Sequence, residues 1–170
     1  LRRDGWRLLL LDTASAVGMD GDGHGLVGAE QLHWLDKQLA HAEDNDEDVL
    51  IIAHQLFVPP TDTHGQLPGW FVAQYDMVQN AHDVLAVLRR HASAGRVRVS
   101  LHGHVHANSL TTRLGVPFVT TSAADEYPMM WREVIVRRCE VELRTHALDL
   151  PELRTQSAQR DTRGVNEMKR

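Results

Sequence analysis

The sequence of 170 residues is short of the features that mark several specialised classes of protein. It has a single cysteine, Cys139, so it cannot form an internal disulfide, which excludes a disulfide-built secreted fold. Its apolar runs, such as residues 8–11 and 49–53, are far shorter than the ~18 residues of a membrane-spanning helix. It has only 2 lysines, a net charge of −5 and no basic cluster, so we expect neither general nucleic-acid binding nor attachment to an anionic membrane surface.

The composition is otherwise that of an ordinary globular domain, with one unusual feature. Hydrophobic residues make up 42% and charged residues 24% of the chain. A chain of this length can bury ~70% of its unfolded surface without disulfides. We find no signal-peptide pattern, but we expect the start of the protein to lie upstream of Leu1. The compartment therefore stays open, with the cytoplasm favoured. The unusual feature is the presence of 11 histidines.

The order of apolar strands and amphipathic helices predicts an α/β fold that ends in antiparallel hairpins. We expect strands at residues 6–12, 48–54 and 97–101, helices at residues 29–42 and 75–91, and hairpins at residues 108–121 and around Cys139-Glu140. Residues 151–170 are polar and predict a tail or a mobile extension, which leaves residues 1–150 as the domain portion.

The residues that directly follow two of the predicted strands carry the strongest chemical signal. Gly103, His104 and His106 come after the third strand, and His54 ends the second. Histidines two apart on an extended backbone can project to one side, and imidazole is a ligand for zinc, iron, manganese and nickel. Because parallel strands end at one edge of a sheet, His54 and His104 should lie close together there. We expect Gly103 to permit a tight bend beside the ion.

Other interpretations of these histidines remain open at this point. The cluster could be a surface turn that happens to be rich in histidine, and His54 could merely cap a strand. His102 could join the site or support a ligand from behind. His24 and His64 lie in long loops that could border a substrate pocket.

Several blocks of the sequence together resemble the calcineurin-like metallophosphoesterase family, over about residues 6 to 147. In chain order they are Gly25-Leu26, Gln31-Leu32-His33-Trp34-Leu35, His54, Gly103-His104-Val105-His106, Thr120-Thr121-Ser122-Ala123 and Glu126-Tyr127-Pro128. The resemblance implies a β-sandwich with helices on both outer faces (α/β/β/α). It also implies two divalent metal ions and hydrolysis of phosphate monoesters or diesters by a metal-activated water. His54 and His104 would bind one metal and His106 the other. The blocks around Trp34 and His104 favour the branch that resembles cyclic-nucleotide phosphodiesterases.

The motifs of the family's first half are missing from this sequence. The family's Asp-x-His, Gly-Asp and Gly-Asn-His motifs supply the bridging aspartate and the remaining ligands, and they do not occur in order before His54. Asp22-Gly23-His24 and Asp62-Thr63-His64 spell Asp-x-His but follow no apolar strand, so we interpret both as coincidences. The chain therefore resembles the C-terminal half of such a sandwich.

A half-sandwich of this kind should differ from a complete enzyme in two ways. Three neutral imidazoles can bind zinc, but two divalent ions without a bridging carboxylate would repel each other strongly. We therefore expect the chain alone to be inactive or nearly so. Its uncovered edges and apolar faces should make it associate with itself or with the missing half. The alternative is a non-catalytic metal-binding or structural module that keeps three histidines.

Overall fold

The computed structural model of the chain describes residues 1–14, 25–61, 76–138 and 140–160. The elements in chain order are β1 (Arg2–Arg3), β2 (Trp6–Leu11), α1 (Ala29–Asp44), β3 (Asp48–Ala53), α2 (Ala81–Arg90), a 3-10 turn (Ala92–Ala94), β4 (Val97–His102), β5 (Ser109–Arg113), β6 (Val116–Thr120), β7 (Met130–Arg137), β8 (Glu140–Ala147) and α3 (Pro151–Arg160). The predicted strands, hairpins and first helix are confirmed to within two residues at their ends.

Six of the strands form one sheet in the order β1-β2-β3-β4-β6-β5. β2, β3, β4 and β6 run parallel, and β1 and β5 pair antiparallel at the two edges. The central strand β3 is an almost continuous apolar run, as is typical of parallel strands buried on both faces. The four parallel strands end at the same edge of the sheet. The fold is therefore the predicted mixed α/β architecture.

Helices α1 and α2 cover one face of the large sheet. Leu35 and Leu39 of α1 are four residues apart, and so are Val84 and Leu88 of α2, so each pair lies on one side of its helix. All four side chains are buried against the strands, where they meet Leu9 of β2. Each such burial contributes roughly 1.5–3 kcal/mol relative to exposure. These contacts hold the helices against the sheet.

The hairpin of β7 and β8 covers part of the opposite face as a separate two-stranded sheet. Val134 and Leu143 pack against Trp6 and Leu50 of the large sheet. The indole Nε1 of Trp6 also donates a hydrogen bond to the carbonyl of Arg137, at 3.0 Å. The described residues thus form a layer of helices, a large sheet and a small sheet, in that order.

One apolar row on this second face is buried in its middle and exposed at its ends. Leu10, Ile52, Leu101, Val119 and Leu110 are paired in register across five neighbouring strands. The exposed fraction is 1% for Val119 but 64% for Leu10 and 60% for Leu110. The hairpin therefore leaves apolar side chains at both ends of the row in contact with solvent.

The second helix begins later than the apolar spacing predicts. We expected it to start near residue 75, but α2 starts at Ala81. The backbone N–H of Val78 donates to the carbonyl of Leu56 at 3.1 Å, and Val78 also forms a bridge with Gly25, so this stretch is extended. The side chain of Asn80 bonds both backbone groups of Val27 just before the helix. Val78 is buried in the same core as the helix residues, but it lies on an extended segment and not on a face of α2.

The polar C-terminal stretch contains a helix where we expected a tail or a mobile extension. α3 spans Pro151–Arg160, and none of its side chains is buried. Pro151 and Glu152 suit the first turn of a helix, and Arg160 suits the last turn. Ser157 and Arg154 form hydrogen bonds with the loop between β6 and β7. Residues 161–170 lie outside the described residues.

No helix in the described parts of the chain is both long enough and apolar enough to span a membrane.

Candidate metal centre

Two neighbouring parallel strands bring His54 and His104 into contact. β3 ends at Ala53 and β4 at His102, so the residues that follow emerge side by side. The backbone N–H of Gly103 donates to the carbonyl of His54 at 3.1 Å. Nε2 of His54 lies 3.2 Å from Nδ1 of His104, and the ring centroids are 5.0 Å apart at an interplanar angle of 74°. The predicted proximity is confirmed, whereas the ligand role stays a prediction.

The bend that presents His104 is made by the histidines themselves and not by Gly103. His104 has φ 65° and His106 has φ 50°, both in the left-handed region, which non-glycine residues seldom adopt. The N–H of Val105 donates to the carbonyl of Gly103 at 2.8 Å, which closes a γ-turn around His104. Gly103 itself has no positive φ, and a Cβ there would make an ordinary contact of 3.6 Å with Nδ1 of His54. The expected tight bend is present, but Gly103 does not itself adopt a conformation that calls for glycine.

Two of the six described non-glycine residues with positive φ are the histidines predicted to bind metal, and the other four are Asp4, Asp46, Leu114 and Met129. Each non-glycine residue held in a sparsely populated region costs of order 1–3 kcal/mol and persists only where the surrounding structure imposes it. Strain of this kind clusters at functional sites. At His104 and His106 such strain coincides with candidate ligands, but it is not specific to them and assigns no role.

The surroundings of His54 disfavour the charged form of its ring. Partial burial lowers the pKa of His54, and the nearby positive charge that His104 or His106 would carry lowers it further. A neutral imidazole has a free lone pair, which is the form that binds metal ions. The rings of His104 and His106 therefore both lie within electrostatic reach of His54.

A single metal ion would fit the pair formed by His54 and His104. With Zn–N bonds of 2.0–2.1 Å and tetrahedral angles, two nitrogen ligands of one ion are ~3.3 Å apart. The facing nitrogens of this pair are 3.2 Å apart. The hydrogen bond between them needs one shared proton, which a bound ion would replace.

His106 lies at the same sheet edge but has a different partner. Its Nδ1 is 2.9 Å from Oε2 of Glu126, and both side chains are partly exposed, at 37% and 43%. Among the described residues, no three His, Cys, Asp or Glu side chains are grouped closely enough to hold a metal ion. The structure thus joins two of the three predicted ligands as a pair and places the third nearby.

His102 is buried at the end of β4 and is bonded at both ring nitrogens. It is 5% exposed, and burial lowers its pKa to about 4, so the ring is neutral at neutral pH. Nδ1 donates to the carbonyl of Gln55 at 2.9 Å, and Nε2 accepts from the hydroxyl of Ser100 at 2.8 Å. The rings of Phe57 and Phe118 pack against it. Of the two roles left open for His102, the structure favours support from behind, because both ring nitrogens are already bonded.

Thr13 and Gln55 complete this support, and sequence reasoning did not single them out. The hydroxyl of Thr13 accepts from the backbone N–H of Gln55 at 3.1 Å and donates to its side-chain Oε1. Gln55 directly follows His54. Thr13 bonds its backbone N–H and His102 bonds its carbonyl, so the backbone next to His54 is held at two points. The only available signal was position, since Thr13 and Gln55 both lie just beyond the end of a predicted strand.

Two further candidates cannot be placed. His24 and His64, together with the Asp22 and Asp62 of their Asp-x-His motifs, lie outside the described residues. Their possible part at a substrate pocket stays a prediction.

The comparisons with known proteins point to phosphoesterases. No family model matches the chain. The chain is 32% identical over 126 residues to a cAMP/cGMP dual specificity phosphodiesterase of Mycobacterium tuberculosis, covering 71% of this chain and 32% of the relative. It is 31% identical over 101 residues to a probable cyclic nucleotide phosphodiesterase of Synechococcus, covering 59% of this chain and 32% of the relative. The chain thus spans about a third of the length of each of these proteins.

A solved structure has the same fold. The crystal structure of a dimetal phosphatase from Danio rerio superimposes with a TM-score of 0.58 at 22% identity, over 74% of this chain and 37% of that one. The mostly parallel sheet with its flanking helices is therefore a fold found in a dimetal phosphatase. Together with the two relatives, this supports a place in a metallophosphoesterase-like superfamily.

Proposed function

We propose that this chain supplies the histidine ligands of a metal-dependent enzyme that hydrolyses phosphate esters. The observation that carries the proposal is the His54–His104 pair, whose facing ring nitrogens are spaced for one metal ion at the edge where the parallel strands end. A divalent ion bound there would lower the pKa of a water ligand and offset the charge of a phosphoryl group. The names of the two relatives and of the structural neighbour support the same reaction class.

The chain's own residues would bind and orient the metal ions. We assign His54 and His104 to one ion and His106 to the second. Burial and neighbouring charge lower the pKa of His54, which favours the neutral form of the ring that metal binding requires. The buried bonds of Gln55 to Thr13 and His102 hold the adjoining backbone, so the pair would be positioned before metal arrives.

The substrate class we propose for the whole protein is a cyclic nucleotide. Both relatives carry the name cyclic nucleotide phosphodiesterase, and blocks around Trp34 and His104 favoured that branch. A cyclic phosphodiester carries one negative charge, which a metal-bearing site would neutralise as the bond to the leaving oxygen breaks.

We propose that the described residues alone do not make a working site. His54, His104 and His106 are all neutral ligands, and two divalent ions held close together need negatively charged ligands to limit their repulsion. The chain spans only 32% of the length of each relative. We place the carboxylate ligands in a further part of a longer protein.

Metal content tests the proposal. Purified chain and His104→Ala, both reconstituted with zinc, are desalted and measured by mass spectrometry. We expect about one ion per wild-type chain and its loss in the variant, as for a histidine-built zinc site. His41→Ala is the matched control, because His41 is exposed in the last turn of α1, at the opposite end of the helix from the bond between Gln31 and Asp12 at the end of β2, and should leave the metal content unchanged.

Each other result has a definite meaning. Absence of metal from the wild type would contradict the proposal and favour the non-catalytic structural module. Two ions per chain would show that this sequence supplies carboxylate ligands, with Asp22 or Asp62 the first to substitute. Rapid hydrolysis of bis(p-nitrophenyl) phosphate by the chain alone would contradict our expectation that it is incomplete.

A further inference from the structure

His106 has a carboxylate partner that fixes which of its ring nitrogens is free. Its Nδ1 lies 2.9 Å from Oε2 of Glu126. A carboxylate can only accept a hydrogen bond, so Nδ1 carries the proton and donates. In the neutral ring this leaves Nε2 with its lone pair unprotonated. The contact therefore selects one tautomer of His106 before any metal binds.

The position of Glu126 does not depend on this contact, because backbone bonds hold its loop. The N–H of Met129 donates to the carbonyl of Glu126 at 2.6 Å. The next residue, Tyr127, donates its N–H to the hydroxyl of Ser157 on α3 at 2.7 Å. Arg154 on the same helix donates from Nε to the carbonyl of Pro128 at 3.1 Å. Helix α3 thus supports the loop that carries Glu126.

We propose that Glu126 is a positioning residue that fixes the tautomer and ring orientation of His106, so that Nε2 is presented to a metal ion. This inference rests on the proposed function, in which His106 is a ligand. A carboxylate behind a metal-binding histidine orients the ring and raises its basicity, and losing such a partner commonly weakens metal affinity by 10–100-fold. The polar α3 then has a role, since it holds this carboxylate in place.

The matched pair of variants is Glu126→Ala and Asp125→Ala. Both remove one carboxylate at neighbouring positions of the same loop, but Asp125 is exposed, and only Glu126 reaches His106. The first readout is the tautomer of His106 in the metal-free chain, from the ¹⁵N shifts of its ring. The second is zinc affinity at His106 itself, followed by the change in its ring ¹⁵N shifts during a zinc titration, because the ion assigned to His54 and His104 would dominate a bulk measurement. Glu126→Gln, which keeps an acceptor oxygen, should lie between the wild type and Glu126→Ala.

We expect Glu126→Ala to shift His106 away from the Nδ1–H tautomer and to weaken zinc binding at His106 by about 10–100-fold, with Asp125→Ala like the wild type. An unchanged tautomer in Glu126→Ala would overturn the inference. So would a changed tautomer with zinc affinity within about twofold of Asp125→Ala. If the wild type bound no zinc, the proposed function would fail, while the tautomer measurement would still decide whether Glu126 controls His106. An intact amide spectrum in each variant separates these outcomes from loss of the fold.

Discussion

Gly25 lies so close to the side chain of Gln55 that a Cβ atom on residue 25 would be 2.8 Å from Gln55 Cδ. It would also be 2.9 Å from the backbone oxygen of Thr13. Gln55 cannot simply move aside, because Thr13 bonds both its backbone N–H and its side chain. The absence of a side chain at residue 25 therefore helps to position His54, the residue before Gln55.

Gly25→Ala should destabilise the protein and loosen the metal centre. Overpacking at a site that cannot relax costs about 1–3 kcal/mol, so the midpoint of thermal unfolding should fall by several degrees. Gly103→Ala is the control. Its Cβ would make an ordinary contact of 3.6 Å and its φ is not positive, so stability should stay level or rise by about 0.4–1 kcal/mol. Equal stability of Gly25→Ala and the wild type would contradict the close packing described here.

The neighbouring support from His102 can be tested with a pair of apolar substitutions. His102→Phe keeps a ring between Phe57 and Phe118 but leaves the hydroxyl of Ser100 and the carbonyl of Gln55 without this partner. We expect a loss of about 1–3 kcal/mol per unsatisfied buried group, together with weaker zinc binding. Urea unfolding and zinc titration are the measurements.

The double variant His102→Phe with Ser100→Ala separates the two bonds. Removing both members of a buried hydrogen bond is nearly neutral, so the Ser100 part of the loss should be recovered. The Gln55 carbonyl stays unsatisfied, so zinc affinity should remain reduced. Recovery of both stability and affinity would show that the bond to Gln55 contributes nothing to the site.

The sequence was sufficient to predict where the site lies, because that depends on strand order. Apolar runs that end in polar residues mark strand ends, and parallel strands meet at one edge, so His54 and His104 could be paired across 50 residues. The supporting bond from Thr13 to Gln55 could not be predicted. Both are common residue types with no periodicity, and they meet only because β2 and β3 are neighbours.

Local patterns were misleading where a tertiary contact takes over the backbone. Val78 continues the apolar spacing of α2 but pairs with Leu56 as an extended segment, so the helix begins later. The left-handed conformation of His104 and His106 likewise leaves no mark in the sequence, since glycine is the residue that normally indicates it. A contact such as that of Glu126 with His106 depends on how a loop folds back, which spacing does not specify.

A buried ion pair lies where the parallel strands begin, at the edge of the sheet opposite the candidate site. Glu47 and Arg7 are 7% and 5% exposed, and Arg7 Nε donates to Glu47 Oε2 at 2.7 Å. Arg2 donates to the other oxygen of Glu47 at 2.6 Å. Burial acts to raise the pKa of Glu47, but the hydrogen bonds from the two arginines outweigh it and leave the pKa below its usual value.

Glu47→Gln should therefore be destabilising at neutral pH and should change the acid response. Leaving Arg7 buried without its charged partner should lower the free energy of unfolding by about 2–3 kcal/mol. The loss is not larger because glutamine still offers Arg7 an acceptor oxygen. A carboxyl with a lowered folded pKa stabilises the fold above its unfolded pKa, and this is lost as pH falls through the folded value. The wild type should thus lose more stability than the variant between neutral pH and about pH 3, measured by urea unfolding. Asp4→Asn, at a largely exposed pair with Arg3, should behave as the wild type.

The exposed ends of the apolar row give the chain a surface for self-association. Leu10 sits at one end, paired with Ile52, and Leu110 at the other. Because the β7–β8 hairpin packs over the middle of this face, the outer side chains keep most of their contact with water. Burying one leucine contributes roughly 1.5–3 kcal/mol, so two copies that cover this row would be stabilised appreciably.

We expect the wild-type chain to associate as its concentration increases. Leu10→Lys should associate at least about tenfold more weakly, because a loss of ~1.5 kcal/mol of burial free energy corresponds to that factor in the dissociation constant. Light scattering over a concentration series measures this directly. Leu153→Lys is the control: Leu153 is 49% exposed on α3, away from the row, so its substitution should leave association unchanged. Equal weakening by both substitutions would mean that general charge and not this face controls association. A wild type that stays monomeric at every concentration would contradict the prediction outright, because it would show that the exposed leucines drive no contact between copies.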